Sequence, residues 1–271
     1  MAETPQLPPL DPRFEICQLN EDDILWAAAI LAYTNVFYST HWATIYPDEK
    51  PKRLYATTEA NVFLIGKYGP SLCYGVFDKN YSFKRPESAA TGGKLYWDYS
   101  NLNATKEELL EQMDFPLVSI ALSYDGNSPP GFNEMKPLID CLPLLGTIYQ
   151  QLALLDKRDP ESWKAKNPGE VLQRCGTSTR ADYEGQGIMK ALAHFLMYEM
   201  AARGYRGIQI ETSSDKAHRV WMNPPAPFKA SLISELDSQE YEEEKDGIKF
   251  KPFAPSQQKM TKVYVTLKSE A

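Results

Sequence analysis

The chain has 271 residues, of which 43% are hydrophobic and 24% charged, and its formal net charge is −7. This balance suits a folded chain with a sizeable core and argues against a nucleic-acid partner, which needs basic surface to meet phosphates. No run of about 18 apolar residues is present to cross a membrane, so no membrane partner is expected either.

The opening "MAETPQLPPLDPR" is proline-rich and lacks the apolar centre of a signal peptide. Residues 1–12 are read as a flexible leader and 13–271 as a single domain. "FEICQL" (Phe14–Leu19) alternates and carries β-formers, which predicts a first strand. Asn20 then stands as an N-cap with Asp23 at the capping-box position and acids in the first turn, ahead of a helix with Ile24, Ala28, Leu31 and Ala32 on one face. A shorter helix is predicted over Lys52–Ala60. "NVFLIGKY" and "SLCYGVFD", joined by Gly69–Pro70, read as a β-hairpin.

The segment at about 79–170 reads as a large insert between the third and fourth strands. Within it "GKLYWDYS" suggests a strand, "TKEELLEQM" a helix capped by Thr105, and "FPLVSIALSYD" either a strand or a buried helix. "NEMKPLIDCLPLLGTIYQQLALLDK" is helical with a break at Pro143. Beyond the insert, "VLQRCGTST" (Val171–Thr179) predicts a strand. A glycine turn and a helix to Arg203 follow, with Gly204 as its C′ residue. "GIQIET" (Gly207–Thr212) is another strand, and "SDKAHRVWM" a short helix stopped by Pro224–Pro225. "KASLISEL" and "TKVYVTLK" read as closing strands, with the charged "SQEYEEEKDG" as a solvated loop between them.

The four cysteines, Cys17, Cys73, Cys141 and Cys175, are widely spaced with no C-x-x-C. No metal site is expected. They read as buried small residues of a protein in a reducing compartment, here the cytoplasm.

The stretch "RADYEGQGIMKALAHFL" places Gly185 and Gly187 directly before a helical pattern. A glycine turn at a helix start either just ends one element, or bares backbone N–H groups that hold a phosphate at the positive end of the helix dipole. The sequence "TRADYEGQGIMKAL" resembles the acyl-CoA-binding motif of the GCN5-related N-acetyltransferase (GNAT) superfamily, Gln/Arg-x-x-Gly-x-Gly/Ala at the start of the central helix. Glu184 takes the Gln/Arg place, Gly187 the glycine and Met189 the final small residue, so one of the three positions matches. "IQIETSSDKAHRVW" is similar to the strand and short helix that follow in these enzymes, and "VFYSTHWATIYPDEKP" to an early helix-to-loop segment.

The resemblance implies an α/β GNAT fold, a mixed and mainly antiparallel twisted sheet with helices on both faces. It implies acyl-CoA-dependent N-acylation, with acetyl-CoA as co-substrate. The acceptor would be a small-molecule amine attacking the thioester directly in a ternary complex, in a monomer or homodimer. The amides of Glu184, Gly185, Gln186, Gly187, Ile188, Met189 and Lys190 would form the pyrophosphate nest, with the Lys190 charge beside it. Thr177, Ser178 and Thr179 would bond the pantetheine through their main chain. The Glu184 carboxylate and the bulk of Met189 depart from the pattern. Trp221 falls where many members carry the tyrosine that protonates the leaving thiolate.

Substitutes nearby are Ser213, Ser214 and His218, and the candidate bases are His41 and Glu211. The aromatics of "VFYSTHWATIYP" and "KLYWDYS" are candidates for lining an acceptor pocket. The missing tyrosine also leaves open an inactive CoA-binding or regulatory module. An enzyme with another acyl donor or an oxygen acceptor is the remaining alternative.

Overall fold

The computed structural model describes residues 10–268; most of the expected leader, residues 1–9, lies outside them. Seven strands form the main sheet: β1 Phe14–Gln18, β2 Tyr74–Asp78, β3 Leu117–Asp125, β4 Val171–Thr179, β5 Gly207–Thr212, β6 Lys229–Asp237 and β7 Lys259–Thr266. Their spatial order is β1-β2-β3-β4-β5-β7-β6. Every neighbouring pair is antiparallel except β4 with β5. The principal helices are α1 Ile24–Phe37, α2 Lys50–Tyr68, α3 Phe132–Cys141, α4 Leu144–Leu154, α5 Ile188–Ala202 and α6 Asp215–Trp221. No helix among the described residues is long and apolar enough to cross a membrane.

The sheet separates two apolar layers. On one face α1 and α2 pack Ile30, Leu31, Leu54 and Ile65 against Leu117, Ile120 and Leu122. On the other, α5 packs Ile188, Leu192, Leu196 and Met200 against Val118, Leu172, Ile208, Ile210 and Val263. α1 is buried almost all round, from Ala27 to Tyr33, because it lies between the sheet and α2. Asn20 and Asp23 form the expected reciprocal box, with Asp22 N donating to Asn20 Oδ1 (2.8 Å) and Asn20 N to Asp23 Oδ2 (3.0 Å). They cap a short 3-10 turn that feeds α1.

The expected hairpin at 61–78 is not formed. "NVFLIGKY" continues α2 as far as Tyr68, and only Tyr74–Asp78 is a strand. Leu54, Thr58, Asn61 and Ile65 are buried at helical spacing while Phe63 is exposed. Asn61 Nδ2 donates to the Thr57 carbonyl (2.8 Å), and Gly69, at φ 75°, ends the helix. A short run of β-formers does not by itself separate strand from helix; tertiary burial along one face decides here.

The expected insert is divided in two, because "LVSIALSYD" inside it is β3, a central strand paired with β2 on one side and β4 on the other. Excursions 79–116 and 126–170 flank it. "GKLYWDYS" supplies only the two-residue strand Lys94–Leu95. The charged loop carries a small hairpin, Glu243–Lys245 with Ile248–Phe250, turned by Asp246 and Gly247 at φ 54° and 78°, the Asp-Gly turn chemistry of a two-residue hairpin.

Candidate active site

The parallel pairing of β4 and β5 stops at Arg174 with Ile210. Beyond that point β4 stays bonded only to β3, and Glu211 and Thr212 of β5 only to β7. The two central strands therefore splay apart and leave unpaired backbone on their inner edges. A bulge opposite Leu122/Ser123 inserts Cys175 as an extra residue at the start of this opening.

Two cavities meet there. The larger, a groove of about 1080 Å3, runs from α1 across the splay to the start of α5 and is lined by Arg174–Thr179, Tyr183–Lys190 and Glu211–Ala217. The smaller, a chamber of about 290 Å3, lies on the α1/α2 face. Its apolar wall is Leu31, Leu64, Ile65, Met135 and Leu138; Tyr68, Tyr124 and Tyr149 add aromatic surface. Cys175, Tyr149 and Glu211 border both spaces.

The glycine turn opens into the groove. Gly185 and Gly187 have φ of 80° and 74°, and a Cβ on either would meet nothing within 4 Å. Glycine is needed there for backbone conformation rather than for room. The first-turn amides of Ile188, Met189 and Lys190 have no intrahelical acceptor and lie on the groove wall with Lys216 and Arg219. Glu184 is drawn toward Lys216, with 3.7 Å between Oε2 and Nζ. Gln186 accepts from Arg13 at 3.3 Å, which ties the turn to the residues before β1. Thr177, Ser178 and Thr179 line the same groove, and the Ser178 hydroxyl is buried without a partner. A cationic nest, a strand edge with unpaired main chain and an orphan hydroxyl fit an extended ligand with a phosphate group. The residues expected to hold acyl-CoA, Thr177–Thr179 and Glu184–Lys190, all line this one groove.

The register of three strands assembles a polar cluster at the chamber end. Gln173 lies beside Gln209, and Glu211 opposite Lys262, all on one face. Gln173 Nε2 donates to Glu211 Oε2 (2.7 Å), and Gln209 Nε2 donates to Gln173 Oε1 (3.1 Å). Lys262 Nζ stands 3.9 Å from Glu211 and 3.6 Å from Asp156, with side chains only 5–12% exposed. Arg158 pairs with Asp156 at 2.7 Å. Burial pushes the Glu211 carboxyl up, and Lys262 and Gln173 pull it back toward the ionised form. Burial also pushes the Cys175 thiol up to about 12 and the Tyr149 phenol far above its ordinary value.

Other expectations fare differently. His41 lies outside both cavities, fully buried, with Nδ1 2.8 Å from Ser256 Oγ and its ring against Trp42 and Phe253. Desolvation brings its pKa down to about 4, so this imidazole stays neutral and has no route to a substrate proton. His218 faces away from the groove, Nδ1 bonding Thr261 Oγ1 at 2.9 Å. Ser213 and Ser214 do border the groove, Ser214 at the N-cap of α6. Trp221 is 1% exposed, with Nε1 unpartnered. Cys175 is a correction to the reading of all four cysteines as buried, since its surface is exposed to the two cavities, while the protein that surrounds those cavities desolvates its thiol. Cys17 and Cys141 are half-buried and Cys73 is buried.

"KLYWDYS" does not line the chamber. Trp97 is a core residue, its Nε1 donating to the Leu109 carbonyl at 2.8 Å. Tyr38 and Trp42 of the other aromatic stretch border the groove. Arg174, Gln173, Gln209, Tyr149 and Lys262 were not singled out from sequence, and Cys175 was read there only as a buried small residue. The available signal was a set of polar residues, Gln173, Gln209 and Lys262, alternating with apolar ones in otherwise buried strands.

Solved structures share this overall fold. Arylalkylamine N-acetyltransferase 2 from Aedes aegypti superposes with a TM-score of 0.58 at 11% identity, covering 94% of this chain and 99% of that one. The C-terminal condensation domain of Ebony, solved with beta-alanyl-dopamine, gives 0.56 at 13% identity over 95% and 99%. The chain has the GNAT fold. No family model matches the sequence, and no curated protein matches it.

Proposed function

We propose that the protein is an acyl-CoA-dependent N-acyltransferase, using acetyl-CoA to acylate a small amine that carries an apolar or aromatic body. The observation that carries this reading is the meeting of groove and chamber at the splay, beside Cys175 and Glu211. One space suits a long phosphate-bearing donor and the other a compact acceptor, with the acceptor nitrogen brought to the donor carbonyl at their junction. A match in fold to an arylalkylamine N-acetyltransferase supports the class of acceptor.

Glu211 takes the proton from the attacking nitrogen. Gln173 and Lys262 hold its carboxylate ionised in a buried place. Unpaired amides of β4 beside the Cys175 bulge face the thioester oxygen and stabilise its developing charge. No covalent enzyme intermediate is required, and the high pKa of Cys175 makes it a poor nucleophile at neutral pH.

Trp221 favours one other reading, a module that binds CoA without turnover, because indole supplies no phenolic proton. Calorimetric titration with acetyl-CoA, CoA and desulfo-CoA, followed by thiol release with arylalkylamines and aliphatic amines, tests both. Micromolar binding with amine-dependent thiol release supports the enzyme. Binding without release from any amine supports the module, and no binding overturns both.

A further inference from the structure

Arg174 sits where β4 parts from β5 and is 3% exposed. Its Nη1 donates to the Leu122 carbonyl and to Ser123 Oγ at 2.7 Å. Its Nη2 donates to the Gly176 carbonyl at 2.9 Å and to Thr177 Oγ1 at 2.6 Å. All four acceptors are neutral, and Nε has no partner. Among the described residues no carboxylate pairs with this guanidinium. The titratable groups that face it are the thiols of Cys175, its neighbour on β4, and Cys73, just ahead of β2.

A buried cation without a counter-charge is costly to keep. Burial draws the guanidinium down to about 10, which still leaves it charged at neutral pH. Its place gives the charge a use. Arg174 lines the groove and bonds Thr177 on the groove wall, and its guanidinium carbon lies 5.8 Å from the ring of Trp221. A fixed positive charge thus stands next to the residue that cannot donate a proton, one position before Cys175, which borders both groove and chamber.

We propose that Arg174 acts through its field, stabilising from behind the groove wall the negative charge that develops on the leaving sulfur when the thioester bond breaks. This rests on the groove holding acyl-CoA. The acceptor nitrogen forms the new C–N bond and gives its proton to Glu211. The C–S bond breaks with its electron pair passing to sulfur. CoA then leaves as a thiolate stabilised by the nearby Arg174 charge and takes a proton from water on release, while Glu211 returns its own to solvent. A permanent cation replaces the acid, so Trp221 is no obstacle to turnover.

The test is the ultraviolet absorbance of the thiolate of free CoA bound to the protein, followed across pH with the desulfo-CoA complex as blank. In the unmodified protein the bound thiol should titrate about one pKa unit or more below free CoA, as a thiol beside a guanidinium does. Arg174→Gln should return it to the free value, read against the desulfo-CoA complex of the same variant. Arg174→Lys should restore part of the shift. In turnover, Arg174→Gln should lower kcat about 10- to 100-fold with little change in KM for acetyl-CoA, the pattern of a lost transition-state interaction. If Arg174→Gln does not fold, the measurement on the unmodified protein decides alone. CoA that binds with an unshifted thiol overturns the role of Arg174, whereas failure of CoA to bind at all overturns the donor groove itself.

Discussion

Lys262→Met removes one charge from the buried cluster and keeps most of the side chain's length. Lys262 is 3.6 Å from Asp156 and 3.9 Å from Glu211, and all three are nearly buried. At those separations one ion pair is worth about 4 kcal/mol in an effective dielectric of 20. Breaking a buried pair by deleting one partner costs about 3–5 kcal/mol in general, so the two routes agree. Asp156 keeps Arg158, and Glu211 carries most of the loss.

The sign with pH follows from Glu211. Its folded pKa already lies above the ordinary 4.5 because of burial, and Lys262 is the leading influence pulling it down. Without Lys262 it rises further. The folded state then binds a proton more tightly than the unfolded one, and stability falls as pH rises through that window. Urea unfolding at a series of pH values should show a deficit of about 3–5 kcal/mol at neutral pH that shrinks once Glu211 is protonated. The acidic limb of kcat/KM should move to higher pH in the same variant. A deficit below about 1 kcal/mol, the level of an exposed pair, and unchanged with pH, would refute the buried-network account.

Gly187→Arg should abolish acetyl-CoA binding in calorimetry while far-ultraviolet dichroism stays native, since the added side chain projects into open groove. Gly187→Ala should keep binding but lose about 1 kcal/mol of stability, because φ is 74° there. His41, with its pKa lowered to about 4 by burial, should make the folded protein lose about 3 kcal/mol as pH falls from 6.5 to 4. Urea unfolding of His41→Gln should lack that acid slope, and an unchanged slope would assign it elsewhere. Leu64→Trp, which fills the chamber without touching the groove, should raise KM for an arylalkylamine about tenfold or more. Its affinity for CoA should not change, and a matching loss for both ligands would mean that the two spaces are one.

Local signals wrote much of the frame. The Asn20/Asp23 box, the Thr105 cap, the break at Pro143 and the strand-turn-helix around Gly187 are each set by neighbours within a few residues, so they were legible. α2 was misread because Val62–Ile65 satisfies both periods, and only its packing on α1 and the sheet selects the helix. β3 was ambiguous for the related reason that a strand buried on both faces shows no alternation. The proposed base was half legible. Glu211 and His41 are equally plausible as residue types, and burial separates them: one carboxylate at the edge of two cavities, one imidazole sealed behind Trp42 and Phe253.

The sequence by itself determined the order of elements, the glycines that allow left-handed backbone at 185 and 187, and the absence of a phenol at Trp221. These depend on residue identity and short-range geometry. Only the tertiary structure decided that Gln173, Glu211 and Lys262 share one face, that Cys175 is bulged into the opening, and that Arg174 is buried without an anion. Those facts come from registers that pair residues 36 to 51 positions apart in sequence, and register is fixed by the packing of whole sheet faces rather than by any local run of residues.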